Sequence, residues 1–197
     1  MRVAERISKL REKMEEHGID FYIVPTADFH QSEYVGEHFK ARAFITGFTG
    51  SAGTAIITTK EARLWTDGRY FVQAASQLKG STVELMKMGE PGVPKLLEYL
   101  EKEFPENGVL GFDGRVVSMG DGKAYKEIVD KKHGKIIYDY DLIDAIWEDR
   151  PALSTEPVFG LEEKYTGESV ESKFARIREE MKKAGTTEHV LTTLDDI

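Results

Sequence analysis

Two short apolar runs separated by a charged dipeptide constrain the fold more than any other feature of the chain. Residues 54–59 and 62–66 are rich in β-branched and aromatic residues, and Lys60-Glu61 lies between them. Runs of this kind with a two-residue gap predict two antiparallel strands joined by a tight turn. Any sheet that this chain builds therefore contains at least one antiparallel pair.

Helical and strand patterns alternate through the rest of the first 150 residues. Apolar residues at helical spacing predict an amphipathic helix that ends at Gly18, and residues 21–24 predict a buried strand that Pro25 terminates. The same patterns predict further strands at 83–88, 108–112 and 136–138, and helices at 94–104, 123–132 and 142–147. Such alternation indicates an α/β fold with a mixed, partly antiparallel sheet flanked by helices.

A further helix is predicted to begin directly after the antiparallel pair, with Asp67 as its N-cap. Arg69 lies in the first turn of this helix, where the macrodipole disfavours a cation by roughly 0.3–1 kcal/mol. Arg69 is therefore either paired with a nearby acid, such as Asp67, or kept for a function. The residues at helical spacing that should form the buried face are Tyr70, Phe71, Ala74, Ala75 and Leu78.

Composition excludes several classes of function. The chain has 27 basic and 35 acidic residues, a net charge of -8, which argues against a nucleic-acid partner because phosphates require a basic surface. No apolar run is long enough to span a membrane, and the first ten residues lack the apolar core of a signal peptide. The absence of cysteine excludes disulfides and thiolate metal sites. We expect a cytoplasmic protein.

Two loops carry residues that could bind a ligand. Asp28, His30 and Glu33 have side chains that bind metals, but one short loop rarely supplies a closed metal site, so we expect turn-forming and surface roles. The glycines of residues 47–53 suggest a phosphate- or nucleotide-binding loop as an alternative. They lead into a predicted strand instead of a helix, however, and no Lys-Ser/Thr pair follows, so tight turns and close backbone approach explain them better.

The chain also contains an internal repeat. Residues 10–28 align without gaps onto residues 177–195, and six of the nineteen positions are identical, from Arg11 and Arg178 to Asp28 and Asp195. Convergence of two exposed helices could produce such a match. As a repeat, it predicts a helix, a glycine stop and a buried strand at the start of each of two related units. A single helix-strand unit cannot bury its own apolar face, so we expect a longer protein of which this chain is the front part.

Several motifs, in order, resemble one known family. They are DFHQSEY (28–34), GSAGTAII (50–57), WTDGRYF (65–71), LMKMG (85–89), LIDAIWEDRP (142–151), YTG (165–167) and LDDI (194–197). Together they make the chain similar to the amino-terminal domain of the three-domain Xaa-Pro aminopeptidases, which are creatinase-like metallopeptidases. Two prolines within residues 151–157 and the repeat predict a first domain at 1–150, a linker at 151–164 and, at 165–197, the truncated start of a second, related domain. The resemblance also implies two related amino-terminal domains.

The resemblance also implies what the chain does and what it lacks. It implies a non-catalytic part of an enzyme that removes the residue preceding proline from a peptide with proline at its second position. The catalytic residues and two divalent metal ions, usually manganese, would belong to a carboxy-terminal domain that these 197 residues lack. From this part, Arg69 would contact substrate, and the full-length protein would be a homodimer. Whether Ser51, Thr54 or Tyr70 touches substrate stays open, and a stand-alone interaction or dimerisation module is the alternative function.

Overall fold

The computed structural model describes residues 1–193 and divides the chain into two compact units, Met1–Ala152 and Leu153–Ile197. In the first unit, helices and strands alternate as predicted. The helices are α1 (Val3–Glu16), α2 (Ala41–Thr46), α3 (Phe71–Gln77), α4 (Leu96–Glu103) and α5 (Met119–Lys131). The strands are β1 (Phe21–Pro25), β2 (Thr54–Thr58), β3 (Ala62–Thr66), β4 (Glu84–Lys87), β5 (Val109–Phe112) and β6 (Lys135–Ile137).

The six strands form one mixed sheet in the order β4-β3-β2-β1-β5-β6. Strand β2 runs antiparallel to both of its neighbours, while the pairs β3–β4, β1–β5 and β5–β6 are parallel. The prediction of a mixed sheet flanked by helices is therefore confirmed. Because five strands share one direction, their carboxyl ends all lie at one edge, which we call the carboxyl edge.

Alternating side chains of the sheet supply two separate cores. Tyr22 and Val24 of β1 pack on the side covered by α1, α2 and α3, whereas Phe21 and Ile23 face the opposite side, where α4 and α5 pack. On the first side Ile7, Leu10 and Met14 of α1 are buried, as predicted. Burial on both faces explains why β1 is a continuous apolar run instead of an alternating one.

The turn between β2 and β3 lies one residue earlier than predicted. The N–H of Thr58 donates to the carbonyl of Glu61 at 2.8 Å, so Thr59 and Lys60 form the turn instead of Lys60 and Glu61. The hydroxyl of Thr58 accepts hydrogen bonds from the N–H groups of Lys60 (3.2 Å) and Glu61 (2.9 Å). Thr59 was assigned to the strand because it is β-branched. The strand ends one residue earlier because the hydroxyl of Thr58 binds the N–H groups of the turn.

Several predicted helix boundaries were wrong for local reasons. Gly68–Tyr70 forms a 3₁₀ turn before α3, and Ala75 is exposed instead of buried. Helix α5 begins at Met119, not at residue 123, because the hydroxyl of Ser118 caps it by accepting from the N–H of Asp121 at 3.1 Å. The helix predicted at 142–147 is a 3₁₀ turn, Asp144–Ile146.

The second unit contains α6 (Glu163–Thr166) and α7 (Val170–Ala184), and α7 ends at Gly185 with a positive φ of 66°. Gly18, which follows α1, has a φ of 64°. The strand that the repeat predicts after Gly185 does not form up to residue 193, and Val190 is exposed. The repeat position Asp195 and the motif LDDI lie outside the described residues. Among residues 1–193, no helix has the length and apolar character needed to cross a membrane.

Candidate functional site

The two loops that carry candidate ligand-binding residues meet at the carboxyl edge, where Asp67 also lies. Residues 28–34 follow β1, the glycine-rich loop of residues 47–53 leads into β2, and Asp67 follows β3. Because β2 is antiparallel to β1 and β3, its first residue lies beside their last residues: Thr54 pairs with both Pro25 and Trp65. In open α/β sheets this edge is where ligands bind.

Arg69 is held by Asp67 within the 3₁₀ turn. Its Nε lies 2.8 Å from Oδ1 of Asp67 and its Nη2 lies 2.9 Å from Oδ2, while its backbone N–H donates to Oδ1 at 3.1 Å. These bonds raise the pKa of Arg69 and lower the pKa of Asp67. The Arg69 side chain is nevertheless 67% exposed. Asp67, the acid that the sequence suggested as a partner, therefore pairs with Arg69, but it binds only Nε and Nη2 of the guanidinium.

The ring of Tyr70 supports one face of Arg69. Cζ of Arg69 lies 5.3 Å from the centre of this ring. The Tyr70 hydroxyl and Oγ of Ser51 are hydrogen-bonded at 2.6 Å, and the ring packs edge-on against Phe48 at a centroid distance of 5.8 Å. The glycine-rich loop therefore holds the ring of Tyr70 in place, and we call this ring the platform of Arg69.

Gly50 is required where the loop passes these two rings. A Cβ at this position would lie 2.2 Å from the Phe48 ring and 2.7 Å from the Tyr70 ring. Real Cβ atoms do not approach other atoms so closely, so any larger residue would displace both rings. This glycine permits close packing, as the sequence led us to expect.

Arg42 holds the glycine-rich loop from inside the fold, a role that the sequence analysis did not predict. Its side chain is buried in α2, where Nε donates to the hydroxyl of Thr26 at 2.9 Å. Nη1 and Nη2 donate to the carbonyl groups of Phe48 and Gly50. Burial lowers the pKa of Arg42 to about 10, which leaves it charged at neutral pH. In a helix of six residues no periodic pattern separates a buried arginine from a surface one, although its apolar neighbours Phe44 and Ile45 were a weak signal.

The loop geometry does not support the phosphate-binding alternative. Besides the bonds from Arg42, the carbonyl of Ala52 accepts from the hydroxyl of Thr66 at 2.7 Å, and that of Gly53 accepts from the hydroxyl of Thr26 at 2.8 Å. The loop then enters a strand. Phosphate loops instead present a series of backbone N–H groups at a helix N-terminus. This loop is tied down through its carbonyl groups and serves packing.

A cavity of about 200 Å³ lies beside the platform. Ser51, which is bonded to Tyr70, contributes to its wall together with Glu33, Tyr34, Arg42 and Thr49. The negative charge of Glu33 also contributes to the raised pKa of Arg69. Ser51 and Tyr70, whose roles the sequence left open, therefore connect the cavity wall to Arg69 through their hydrogen bond, whereas Thr54 pairs within the sheet.

The three candidate metal ligands of residues 28–34 do not form a metal site. Asp28 is buried and accepts hydrogen bonds from the N–H groups of His30 (2.8 Å) and Ser32 (3.0 Å). Burial alone would raise the pKa of Asp28, but these bonds lower it. Within residues 1–193, no three His, Cys, Asp or Glu side chains are placed to hold a metal ion. Asp28 therefore closes its own loop.

A second Asp-Gly-Arg sequence follows β5 and repeats the geometry at Arg69. Nε and Nη2 of Arg115 lie 2.9 and 3.0 Å from the two carboxylate oxygens of Asp113, and the N–H of Arg115 donates to the same acid at 3.0 Å. Nη2 of Arg115 also contacts Asp141 at 3.1 Å. The repeated tripeptide was visible in the sequence, but we did not identify it as a pair. Each copy follows a parallel strand at the carboxyl edge.

Comparisons with known proteins give matches over almost the whole chain. The family model described as Creatinase/Prolidase N-terminal domain matches residues 6–145, and a second model with the same description matches residues 149–197. The probable Xaa-Pro aminopeptidase P of Laccaria bicolor is 43% identical over 195 residues, which are 98% of this chain and 30% of that protein. Aminopeptidase P2 of Arabidopsis thaliana is 42% identical over 200 residues, covering 99% of this chain and 28% of that protein.

Solved structures agree with these matches. An X-prolyl aminopeptidase from Caenorhabditis elegans, described as a cytosolic enzyme with a di-nuclear active site, superimposes with a TM-score of 0.82 at 32% identity. The match covers 94% of this chain and 32% of that one. The N-terminal domain of a cytoplasmic peptidase from Mycobacterium tuberculosis matches with a TM-score of 0.52 at 25% identity, over 73% of this chain and 98% of that one. The chain thus spans about 30% of the length of its curated relatives.

Proposed function

This chain belongs to the creatinase/prolidase N-terminal domain family, and from that membership we propose that residues 1–197 are the non-catalytic N-terminal part of an Xaa-Pro aminopeptidase. The full-length protein would remove the N-terminal residue from peptides with proline at the second position. The observation that carries the proposal is the coverage of almost all of this chain by relatives named Xaa-Pro aminopeptidase, of which it spans only about 30%.

The metal chemistry of this hydrolase would belong to the part of the protein outside this chain. Residues 1–193 contain no group of three side chains suited to a metal ion, so they do not fit the two divalent ions, expected to be manganese. The di-nuclear active site described for the nematode enzyme supports the number of ions. We assign the present chain to substrate binding and assembly instead. The description of that relative as cytosolic also supports a cytoplasmic location.

Within this chain, Arg69 would be the residue that contacts the peptide. It lies at the carboxyl edge, it is exposed, and the ring of Tyr70 and the carboxylate of Asp67 hold it in place. A guanidinium offers forked donors for a peptide carbonyl or a carboxylate. These features support a binding role better than a purely structural one, because an exposed pair of this kind adds only about 0–1 kcal/mol to stability.

Substitution of Arg69 in the full-length protein tests this role. Arg69→Ala should lower kcat/KM for an Xaa-Pro peptide by about 10- to 150-fold. This factor corresponds to a loss of roughly 1.5–3 kcal/mol of transition-state stabilisation, the value of a charge-assisted hydrogen bond. Arg69→Lys should restore only part of the loss because a point charge cannot reproduce the fork. Arg115→Ala, in the matching Asp-Gly-Arg turn, is the control and should leave kcat/KM within about twofold. An unchanged kcat/KM in the Arg69→Ala enzyme would remove the proposed contact.

We further propose that residues 151–164 are a linker and that residues 165–197 open a second domain related to the first. Helix α7 carries Val170, Phe174, Ile177 and Met181 at the spacing that Val3, Ile7, Leu10 and Met14 have in α1. In α1 the last three of these side chains are buried, whereas Val170, Phe174 and Ile177 of α7 are exposed. The second family match, at residues 149–197, supports the same interpretation.

A stand-alone dimerisation module, the alternative function, would use this exposed stripe of α7 for self-association. Sedimentation of residues 1–197 at several concentrations distinguishes the two roles. We expect the mass of a monomer throughout, and assembly of the proposed homodimer only in the full-length protein. A stable dimer of residues 1–197 that Phe174→Lys dissociates would favour the alternative.

A further inference from the structure

The two Asp-Gly-Arg turns have the same internal geometry but different surroundings. Arg115 contacts a second acid, Asp141, and lies 5.4 Å from the ring of Phe29. Arg69 has Asp67 as its sole ion-pair partner within the described residues, together with the ring of Tyr70. Three of its five N–H bonds are therefore left for a ligand.

Asp67 determines which edge of the Arg69 guanidinium a ligand meets. Its carboxylate spans Nε and Nη2, which form one side of the planar group. The second fork, formed by Nη1 and the remaining N–H of Nη2, points in a different direction from the fork that Asp67 occupies, because the group is planar and rigid. The guanidinium carbon lies over the Tyr70 ring, and this cation–π contact favours the same position. A ligand therefore meets the end of the guanidinium in a fixed orientation.

The charge around Arg69 selects the kind of ligand. Asp67 neutralises the guanidinium, and the wall of the neighbouring cavity carries Glu33 together with the cations Lys40 and Arg42. A free carboxylate would therefore meet an ion pair without net charge and gain little coulombic attraction. A neutral carbonyl accepts hydrogen bonds from the same forked donors and costs less to desolvate than a carboxylate.

We propose that Asp67 is a positioning residue that directs the free fork of Arg69 towards substrate and adapts it to a backbone carbonyl instead of a terminal carboxylate. This inference rests on the proposed function, in which Arg69 contacts the peptide. It predicts that the enzyme accepts an amidated peptide as well as a free acid, since the group recognised is an internal carbonyl.

The test compares matched substrates in the full-length protein. Xaa-Pro peptides of three to six residues are each prepared as the free acid and as the C-terminal amide, and kcat/KM is measured for both. For the wild type we expect the acid and the amide to differ by less than about twofold at every length, because the site selects a neutral carbonyl. A clear preference for the free acid at any length would overturn the inference.

Asp67→Asn removes the charge while keeping an oxygen that caps the N–H of Arg69. We expect kcat/KM for the amides to fall about tenfold, because the fork is no longer fixed. One peptide length should place its C-terminal group beside Arg69. For that peptide, the ratio of kcat/KM for the acid to kcat/KM for the amide, the acid-to-amide ratio, should rise at least threefold, because the arginine without its acid now attracts a carboxylate. Asp113→Asn, in the matching turn, should change neither quantity.

A double-substitution cycle separates positioning from a structural role. If Asp67 acts through Arg69, then adding Asp67→Asn to Arg69→Ala should cause no further loss and no change in the acid-to-amide ratio. A loss that persists in the Arg69→Ala background, or an unchanged ratio in Asp67→Asn, would overturn the inference while leaving the proposed function intact. If Arg69→Ala alone has no effect, the proposed function fails first.

Asp67→Glu keeps the test informative if Asp67→Asn folds poorly. It retains the charge but moves the carboxylate by one methylene, so we expect a lower kcat/KM with the wild-type acid-to-amide ratio. A ratio that shifts towards the acid in Asp67→Glu would contradict the assigned role of the charge. Circular dichroism and thermal unfolding of each purified variant verify that the compared proteins are folded.

Discussion

Arg42 is the residue that holds the glycine-rich loop in place, because the carbonyl groups of Phe48 and Gly50 find their donors in its buried guanidinium. Arg42→Ala should lower the free energy of unfolding by about 2–4 kcal/mol, since each buried carbonyl left without a donor costs roughly 1–3 kcal/mol. Urea denaturation of residues 1–197 measures this change. Arg69→Ala, at an exposed position, is the control and should stay within about 0.5 kcal/mol of the wild type.

A small effect of Arg42→Ala would mean that water replaces the guanidinium, and that the loop is held by Thr26 and Thr66 alone. Arg42→Lys provides a second comparison. A single ammonium cannot span the three acceptors that Arg42 reaches, so Arg42→Lys should recover only part of the lost stability.

Gly50 and Gly122 allow opposite predictions for the same substitution. At Gly50 an added Cβ would meet the rings of Phe48 and Tyr70, so Gly50→Ala should destabilise the protein by about 1–3 kcal/mol. Gly122 lies within α5 with no atom within 4 Å of an added Cβ, so Gly122→Ala should stabilise it by about 0.5–1 kcal/mol. Thermal unfolding of both variants measures the difference. Equal effects would show that the two rings move aside at little cost.

At the scale of single residues, the sequence singled out one residue that conflicted with its local structure, and the family resemblance supplied the role expected of it. Arg69 was noticed because a cation at a helix start is unfavourable, whereas its contact with substrate was implied by the resemblance alone. Arg42 conflicted with nothing nearby, since its acceptors lie in a loop whose path depends on tertiary structure. The interaction of Tyr70 with Ser51 likewise joins two parts of the chain that only the fold brings together.

At the scale of secondary structure, every strand of the first unit was predictable, whereas helix α2 was missed and several boundaries were wrong. Short apolar runs located every strand of the first unit, including the edge strands β4 and β6, which are only partly buried. Single hydroxyl groups set the boundaries that we mispredicted, as at Thr58 in the turn and at Ser118 before α5. The two glycines in the first turn of α5 also masked its true start.

Helix α7 should be less protected from hydrogen exchange than the central strands β2 and β3. None of its side chains is buried, and an isolated helix of its length is marginally stable in water. We expect amides of Val170–Ala184 to exchange far faster than those of Thr54–Thr58 and Ala62–Thr66 in residues 1–197, and mass spectrometry measures both. Exchange at comparable rates would mean that α7 is packed in solution, which would contradict the proposed linker.

At the scale of the whole molecule, we predict that purified residues 1–197 neither bind metal in stoichiometric amount nor hydrolyse an Xaa-Pro peptide. The side chains of residues 1–193 provide no cluster for a metal ion. Elemental analysis and a cleavage assay with added manganese measure both properties. Turnover that survives further purification, and that a chelator abolishes, would assign catalysis to this part of the protein and overturn the proposed division of labour.

The order of the strands also affects how this chain is synthesised. Strand β1 lies between β2 and β5, and the hydrogen bond from the N–H of Val109 to Asp20, at the start of this pairing, joins residues 89 positions apart. On the ribosome β2, β3 and β4 can pair as soon as they emerge, whereas the other side of β1 stays uncovered until β5 has been made. At about 5–20 residues per second, that interval lasts several seconds. During it, an apolar strand with an open edge is exposed to other nascent chains, so chaperone supply and translation speed should limit the soluble yield.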